Sequence, residues 1–270
     1  MRLGLYVRNM GPQSAPDTVV ACARAVEEVG LDHLWVGDHI AIPPDDAEGS
    51  NGRYLDPLAT LAFLAGCTSR VQLGLGVLVL PYRPPLPTAK WIATIQELSR
   101  GRLLFGVGSG WMKPEFRAVG VDYTRRGKIT DATLEFLQRC FTDDVVEENG
   151  QPFLFRPRPP RPPILVGGAP EYAFPRIVRF GDGWMPFGVE VDDLAPQIAE
   201  LRRQMRAAGK PDPEIVAVTR LDLDDPPAAS ARANAFAAAG ATALVHGWRY
   251  TGYDDFRVGA DAMAALDIAR

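Results

Sequence analysis

Residues 30–39 read Gly30-Leu31-Asp32-His33-Leu34-Trp35-Val36-Gly37-Asp38-His39, and what lies on either side of them sets the fold. Upstream, residues 17–29 carry Val19, Val20, Ala23, Val26 and Val29 at the spacing of an amphipathic helix. Gly30 stops that helix, because glycine closes a helix C terminus without a Cβ penalty. The run 33–37 is too short for a helix and too continuously apolar for a half-exposed strand, which predicts a strand covered on both faces. Asp38 and His39 then place two titratable side chains at its end. Helix, stop, buried strand and polar tip make one unit of a parallel α/β fold.

The unit recurs along the chain. Strand-like runs lie at 2–7, 33–37, 71–80, 103–107, 164–166, 182–185, 214–219 and 243–246. Helical patterns lie at 17–29, 57–67, 87–98, 124–141, 173–180, 194–208, 228–239 and 254–269. Eight βα units with right-handed crossovers predict an α/β fold whose sheet closes on itself, a (β/α)8 TIM barrel forming a single domain over 1–270. Residues 142–163 break the beat with acidic pairs and then Pro157, Pro159, Pro160, Pro162 and Pro163. Proline removes a donor from helix and ladder alike. This segment is therefore expected to be a loop insertion between the fourth and fifth units, with at most one short edge strand.

Composition excludes several classes. Lys+Arg total 29 against 33 Asp+Glu, a formal charge of −4, so the basic stripe needed by a nucleic-acid partner is absent. No apolar run reaches the roughly 18 residues of a membrane span. The first seven residues are too short for a secretory leader and carry no cleavage site, which points to the cytoplasm. Cys22, Cys67 and Cys140 are odd in number, widely spaced and far from any histidine, so neither a disulfide framework nor a zinc site is expected. No His/Asp/Glu cluster has the spacing of a metal site, and no metal is expected.

In a closed α/β barrel the chemistry sits at the C-terminal strand ends. Asp38 and His39 there form an acid/base or hydrogen-bonding pair, although successive strand residues point to opposite sides and Asp38 could simply cap a turn. Gly167 and Gly168 follow the fifth run and precede a helix. That setting brings backbone N–H groups to an anion, with a plain tight turn as the competing role. Residues 106–110 lack the Gly-x-Gly-x-x-Gly fingerprint, and neither a Walker loop nor a Gly-x-Ser-x-Gly elbow occurs. His33 and His246 are expected to be structural.

These features together resemble the luciferase-like monooxygenase superfamily, and within it the branch that uses the deazaflavin coenzyme F-420. The resemblance runs from residue 2 to about residue 250. It rests on residues 30–39, on Arg70-Val71-Gln72-Leu73-Gly74-Leu75-Gly76-Val77, on Gly106-Val107-Gly108-Ser109-Gly110-Trp111 followed by Glu115-Phe116, on Pro162-Pro163-Ile164-Leu165-Val166-Gly167-Gly168, and on Gly181-Asp182-Gly183-Trp184. It implies that F-420 or FMN binds at the C-terminal mouth of the barrel. Asp38 and His39 would lie by the tricyclic ring as the catalytic pair. Gly76 and Val77 would form a bulge behind the ring through a non-proline cis peptide. Ser109 and Gly110 would touch the cofactor side chain, and Gly167 and Gly168 its phosphate.

The sequence departs from the sugar-phosphate dehydrogenases of this family. They carry a tryptophan shortly after the Asp-His pair and a glutamate after the Thr/Ser-Gly turn, where this chain has Pro43 and Trp111. Glucose-6-phosphate is therefore not the expected substrate. Tyr82, Trp111, Trp248 and Tyr250 suggest an apolar or aromatic substrate pocket, and Glu115 is expected only to pack or cap locally. The implied activity is hydride transfer between F-420 and a small organic substrate. The alternatives are a monooxygenase using reduced FMN and oxygen, a non-catalytic flavin-binding protein, and a flavin-independent isomerase or lyase. A homodimer is expected both as the commonest assembly and from the resemblance.

Overall fold

The structure, a computed structural model, describes residues 1–268. The first half runs β1 (Arg2–Tyr6), α1 (Pro16–Glu28), β2 (His33–Val36), α2 (Pro57–Cys67), β3 (Gln72–Leu75), β4 (Leu78–Val79), α3 (Pro85–Leu98), β5 (Leu103–Gly108), α4 (Lys113–Ala118) and α5 (Arg126–Thr142). The second half runs β6 (Val146–Glu148), β7 (Gln151–Phe153), β8 (Ile164–Gly167), α6 (Pro170–Phe180), β9 (Gly183–Met185), α7 (Val191–Ala207), β10 (Glu214–Thr219), α8 (Pro226–Ala238), β11 (Ala243–His246) and α9 (Tyr253–Ala264). Around the ring the order is β3, β2, β1, β11, β10, β9, β8, β5, every neighbouring pair parallel, and β3 pairs with β5 to close it. The expected eight-stave barrel is present.

The differences from expectation are local. The run 71–80 is two strands, with the break at Gly76–Val77, whose peptide is cis. β4 resumes the same stave and pairs with β5 from Leu78↔Val107. Several helices begin two or three residues before the predicted start, at Pro85, Pro170 and Pro226. Proline fits the first helical turn, where its missing N–H has no partner to lose. α9 ends at Ala264, short of the predicted 269, which lies outside the described residues. The insertion contains two strands, not one at most. β6 and β7 form an antiparallel hairpin turned by Asn149 (φ 52°) and Gly150 (φ 75°), the Asn-Gly pair that takes positive φ at both central positions of a tight turn.

Two apolar layers hold the barrel. The outer one lies between staves and helices and includes Leu5, Val26, Leu34, Leu61, Leu73 and Ile92. The inner one fills the barrel with Trp35, Leu104, Leu165, Met185, Val216, Ala243 and Val245. A Cβ at Gly74 would overlap the Trp35 ring, so glycine makes room for that tryptophan. Below it, Trp35 Nε1 donates to His33 Nδ1 at 2.8 Å. Burial, helped by the charge of Arg2, pushes the His33 imidazole down to about 3, so it is neutral at pH 7. The lower end is thus plugged. At the upper end Tyr6, Val77 and Val218 are only partly buried and form the floor of an open mouth. No helix among the described residues is long and apolar enough to cross a membrane.

Candidate active site

His39 follows β2 at the mouth, and its orientation is set from across the barrel rim. The short helix α4 presents Glu115 from its first turn. Its carboxylate accepts from His39 Nδ1 at 3.0 Å, Ile40 N at 2.6 Å, Ala41 N at 3.0 Å and Tyr82 Oη at 2.9 Å. Burial alone would raise this carboxyl. The donors from His39, Ala41, Ile40 and Tyr82 override it and hold the pKa down at about 2, so Glu115 is ionised at neutral pH. The His39 ring lies 5.0 Å from Tyr54 and 6.1 Å, edge-on, from Trp111. With Nδ1 committed to Glu115, Nε2 is the nitrogen available to a ligand.

Asp38, buried, turns the other way. It accepts from Val79 N at 2.8 Å and from both terminal nitrogens of Arg83 at 2.7 and 2.8 Å. Arg83 also reaches Asp56 at 2.8 Å, and Asp56 caps α2. Burial pushes the Asp38 carboxyl up, and the bidentate Arg83 contact opposes that push. The same contacts raise Arg83. Asp38 therefore braces β2 against β4.

The glycines shape the remaining rim. The Gly76 carbonyl accepts from the Tyr6 hydroxyl, beside the cis peptide. Ser109 Oγ accepts from Thr130 in α5 at 3.1 Å. Gly110 has φ 79°, and a Cβ there would press on Val79 and Phe116. On the far side of the ring, Gly168 has φ 114° with open space where a Cβ would stand, and its carbonyl accepts from Trp184 Nε1 at 2.9 Å. No side chain caps the helix α6 that follows.

The family model described as luciferase-like monooxygenase matches residues 2–268. The chain belongs to the luciferase-like monooxygenase family. An uncharacterized protein of Mycobacterium tuberculosis is 32% identical over 271 residues, covering 92% of this chain and 93% of that one. The F-420-dependent glucose-6-phosphate dehydrogenase of Amycolatopsis mediterranei is 32% identical over 204 residues, covering 70% and 60%. Among solved structures, an F-420-dependent secondary alcohol dehydrogenase with an F-420–acetone adduct superposes with a TM-score of 0.82 at 17% identity, over 98% of each chain. That likeness is one of fold.

Within this luciferase-like barrel the residues singled out from sequence divide into three groups. His39, Val77, Ser109, Gly110, Gly167 and Gly168 lie at or next to the mouth, and Trp111, 69% exposed, stands beside His39. Tyr82 does not line an open pocket: it is buried against Phe116 and donates to Glu115. Trp248 and Tyr250 are held by packing and hydrogen bonds, yet each lines a cavity, Trp248 one of about 480 Å³ beside α9 and Tyr250 one of about 560 Å³ beside Arg8. Trp248 is stacked between His246 and Phe256 and packs on Gly259 of α9, and the buried Tyr250 hydroxyl accepts from Arg8 N at 2.7 Å. Glu115 is the residue that sequence reasoning undervalued. Its local signal was that of a first-turn acid behind Pro114, and its reach to the loop after β2 spans 76 positions.

Proposed function

We propose that this chain is an oxidoreductase passing a hydride between coenzyme F-420 and a small organic substrate. One observation carries the proposal: His39 is oriented by a buried, ionised Glu115 so that Nε2 serves the mouth. The F-420 dependence named for the Amycolatopsis relative favours the deazaflavin over FMN. The rim fits such a cofactor, since the open Gly168 turn and the uncapped start of α6 offer N–H groups to a phosphate. When bound, the deazaflavin supplies a two-electron centre at ring carbon C5. Gly167 and Gly168 would hold its phosphate, Ser109 and Gly110 its side chain, and Val77 would back the ring. Asp38 keeps the loop after β2 in place through Val79 and Arg83. His39 would hold or move a proton at Nε2 on the substrate, while Glu115 fixes the ring through Nδ1. Trp111, edge-on to His39, would flank the reacting group.

The test is a fluorescence titration of the protein with F-420 and, separately, with FMN. Tight binding of F-420 alone is the expected result. Preference for FMN, accompanied by oxygen consumption on supply of the reduced flavin, would establish the oxygenating chemistry after which the family is named. Binding of neither overturns the cofactor assignment. A homodimer is part of the same proposal. Phe63 on α2 and Trp91 and Leu98 on α3 are large apolar side chains left 51%, 43% and 60% exposed on neighbouring helices, a pattern expected of an interface.

A further inference from the structure

Arg8, just beyond β1, is a cation without an acid. Among the described residues its guanidinium makes no ion pair, its Nη2 donates to the Gly49 carbonyl at 3.3 Å, and its Nε is buried with no acceptor. It lines a cavity of about 560 Å³ together with Gln13, Gly49, Asn51 and Arg249. Gln13 Oε1, on the same cavity, is also buried without a donor. Among the described residues the one acid that meets Arg249 is Glu48, which lines the same cavity, at 3.8 Å and with both side chains largely exposed, a contact of little worth. A Cβ on Gly49 would come within 3.9 Å of the Arg249 guanidinium, so the two arginines converge on one glycine. Toward the reaction centre the link is short: Met10, two residues after Arg8, bridges to Tyr54, and Tyr54 packs on His39. In the ring order β1 lies four staves from β8 by either route, so Arg8 stands opposite the Gly167–Gly168 turn.

We infer that this cavity receives the oxyanion of the substrate, a carboxylate or a phosphate, while the reacting carbon lies at His39. This rests on the proposed hydride-transfer function. A guanidinium presents paired donors matched to an oxyanion, and a bound oxyanion would satisfy the orphaned Arg8 Nε. The substrate is thus anionic at one end. Of the aromatic residues expected from sequence to line the pocket, Tyr250 lines this cavity and Trp111 stands beside His39, while Tyr82 is buried against Phe116.

Calorimetric titration with benzoate, phenyl phosphate and neutral benzamide tests the assignment. Saturable binding of at least one anion is expected, weakened about tenfold or more in Arg8→Gln, partly restored in Arg8→Lys, and weakened in the exposed Arg249→Gln, which leaves the fold untouched. The tighter of benzoate and phenyl phosphate identifies the anion. Equal binding of benzoate and benzamide, no saturable binding of either anion, or unchanged affinity in both glutamine variants overturns it. F-420 affinity is expected to be the same in Arg8→Gln as in the unaltered chain, and its loss overturns the placement on the substrate side. If the unaltered chain fails to bind F-420 yet binds benzoate through Arg8, the cofactor proposal falls and the anion site stands.

Discussion

At the scale of single residues, Glu115 decides the most. A carboxyl whose folded pKa is depressed stabilises the fold fully above its ordinary value and loses that contribution as pH falls through the folded one. For Glu115 the window runs from 4.5 down to about 2, corresponding to roughly 3 kcal/mol. Glu115→Gln keeps the shape but cannot accept from all four donors. It is expected to lower the unfolding free energy at pH 7 by about 2–3 kcal/mol and to flatten the acid limb, so that denaturant midpoints measured at pH 7 and pH 3 lie closer together than in the unaltered chain. Equal pH dependence in both proteins would remove Glu115 from its role. Residue-level legibility was uneven for a physical reason. His39 announced itself by standing at the end of a strand, whereas the role of Glu115 depends on a contact between two distant loops. Arg8 was visible only as the residue after the first strand. Its missing acid partner is a fact of three dimensions.

At the scale of elements, the proposed site lies on the βα turns. The Gly167–Gly168 turn combines a positive φ with an uncapped helix, and open space faces the absent Cβ. Gly168→Val is therefore expected to cost only about 1–2 kcal/mol of stability, from backbone strain, while raising the Kd for F-420 tenfold or more. A thermal melt separates the two effects, and an unaltered Kd would take the turn out of the site. Strands were the easiest elements to read, since burial on both faces makes them continuously apolar and punctuated by turns. Helix starts were read late at Pro85, Pro170 and Pro226, where a first-turn proline stands two or three residues before the predicted start. The hairpin of the insertion was legible in Asn149-Gly150, but the prolines that follow dominated its composition.

At the scale of the whole molecule, closure of the sheet by β3 and β5 leaves no unpaired barrel edge, and further association must use helices. Sedimentation at micromolar concentration is expected to show a dimer, and Trp91→Glu, which plants a charge in the apolar patch of α2 and α3, is expected to yield monomers with an intact fold. A monomeric unaltered chain would exclude the assembly. The closed barrel was the most legible feature of all, because eight repeats constrain topology more tightly than any one motif. One detail of that architecture bears on how the protein can change over evolutionary time. The loop after β2 is pinned at its root by Glu115, through Ile40 N and Ala41 N, and at its return by the Met10–Tyr54 bridge and the Asp56–Arg83 contact. Between those anchors Arg53 still holds Ser14 and Gly49 still meets Arg8, so the room to lengthen, shorten or exchange charge lies in residues 42–48. Change there would alter the rim beside Gly49 and leave the His39–Glu115 contact in register, so the proposed selectivity and the proposed proton handling are separable on one scaffold.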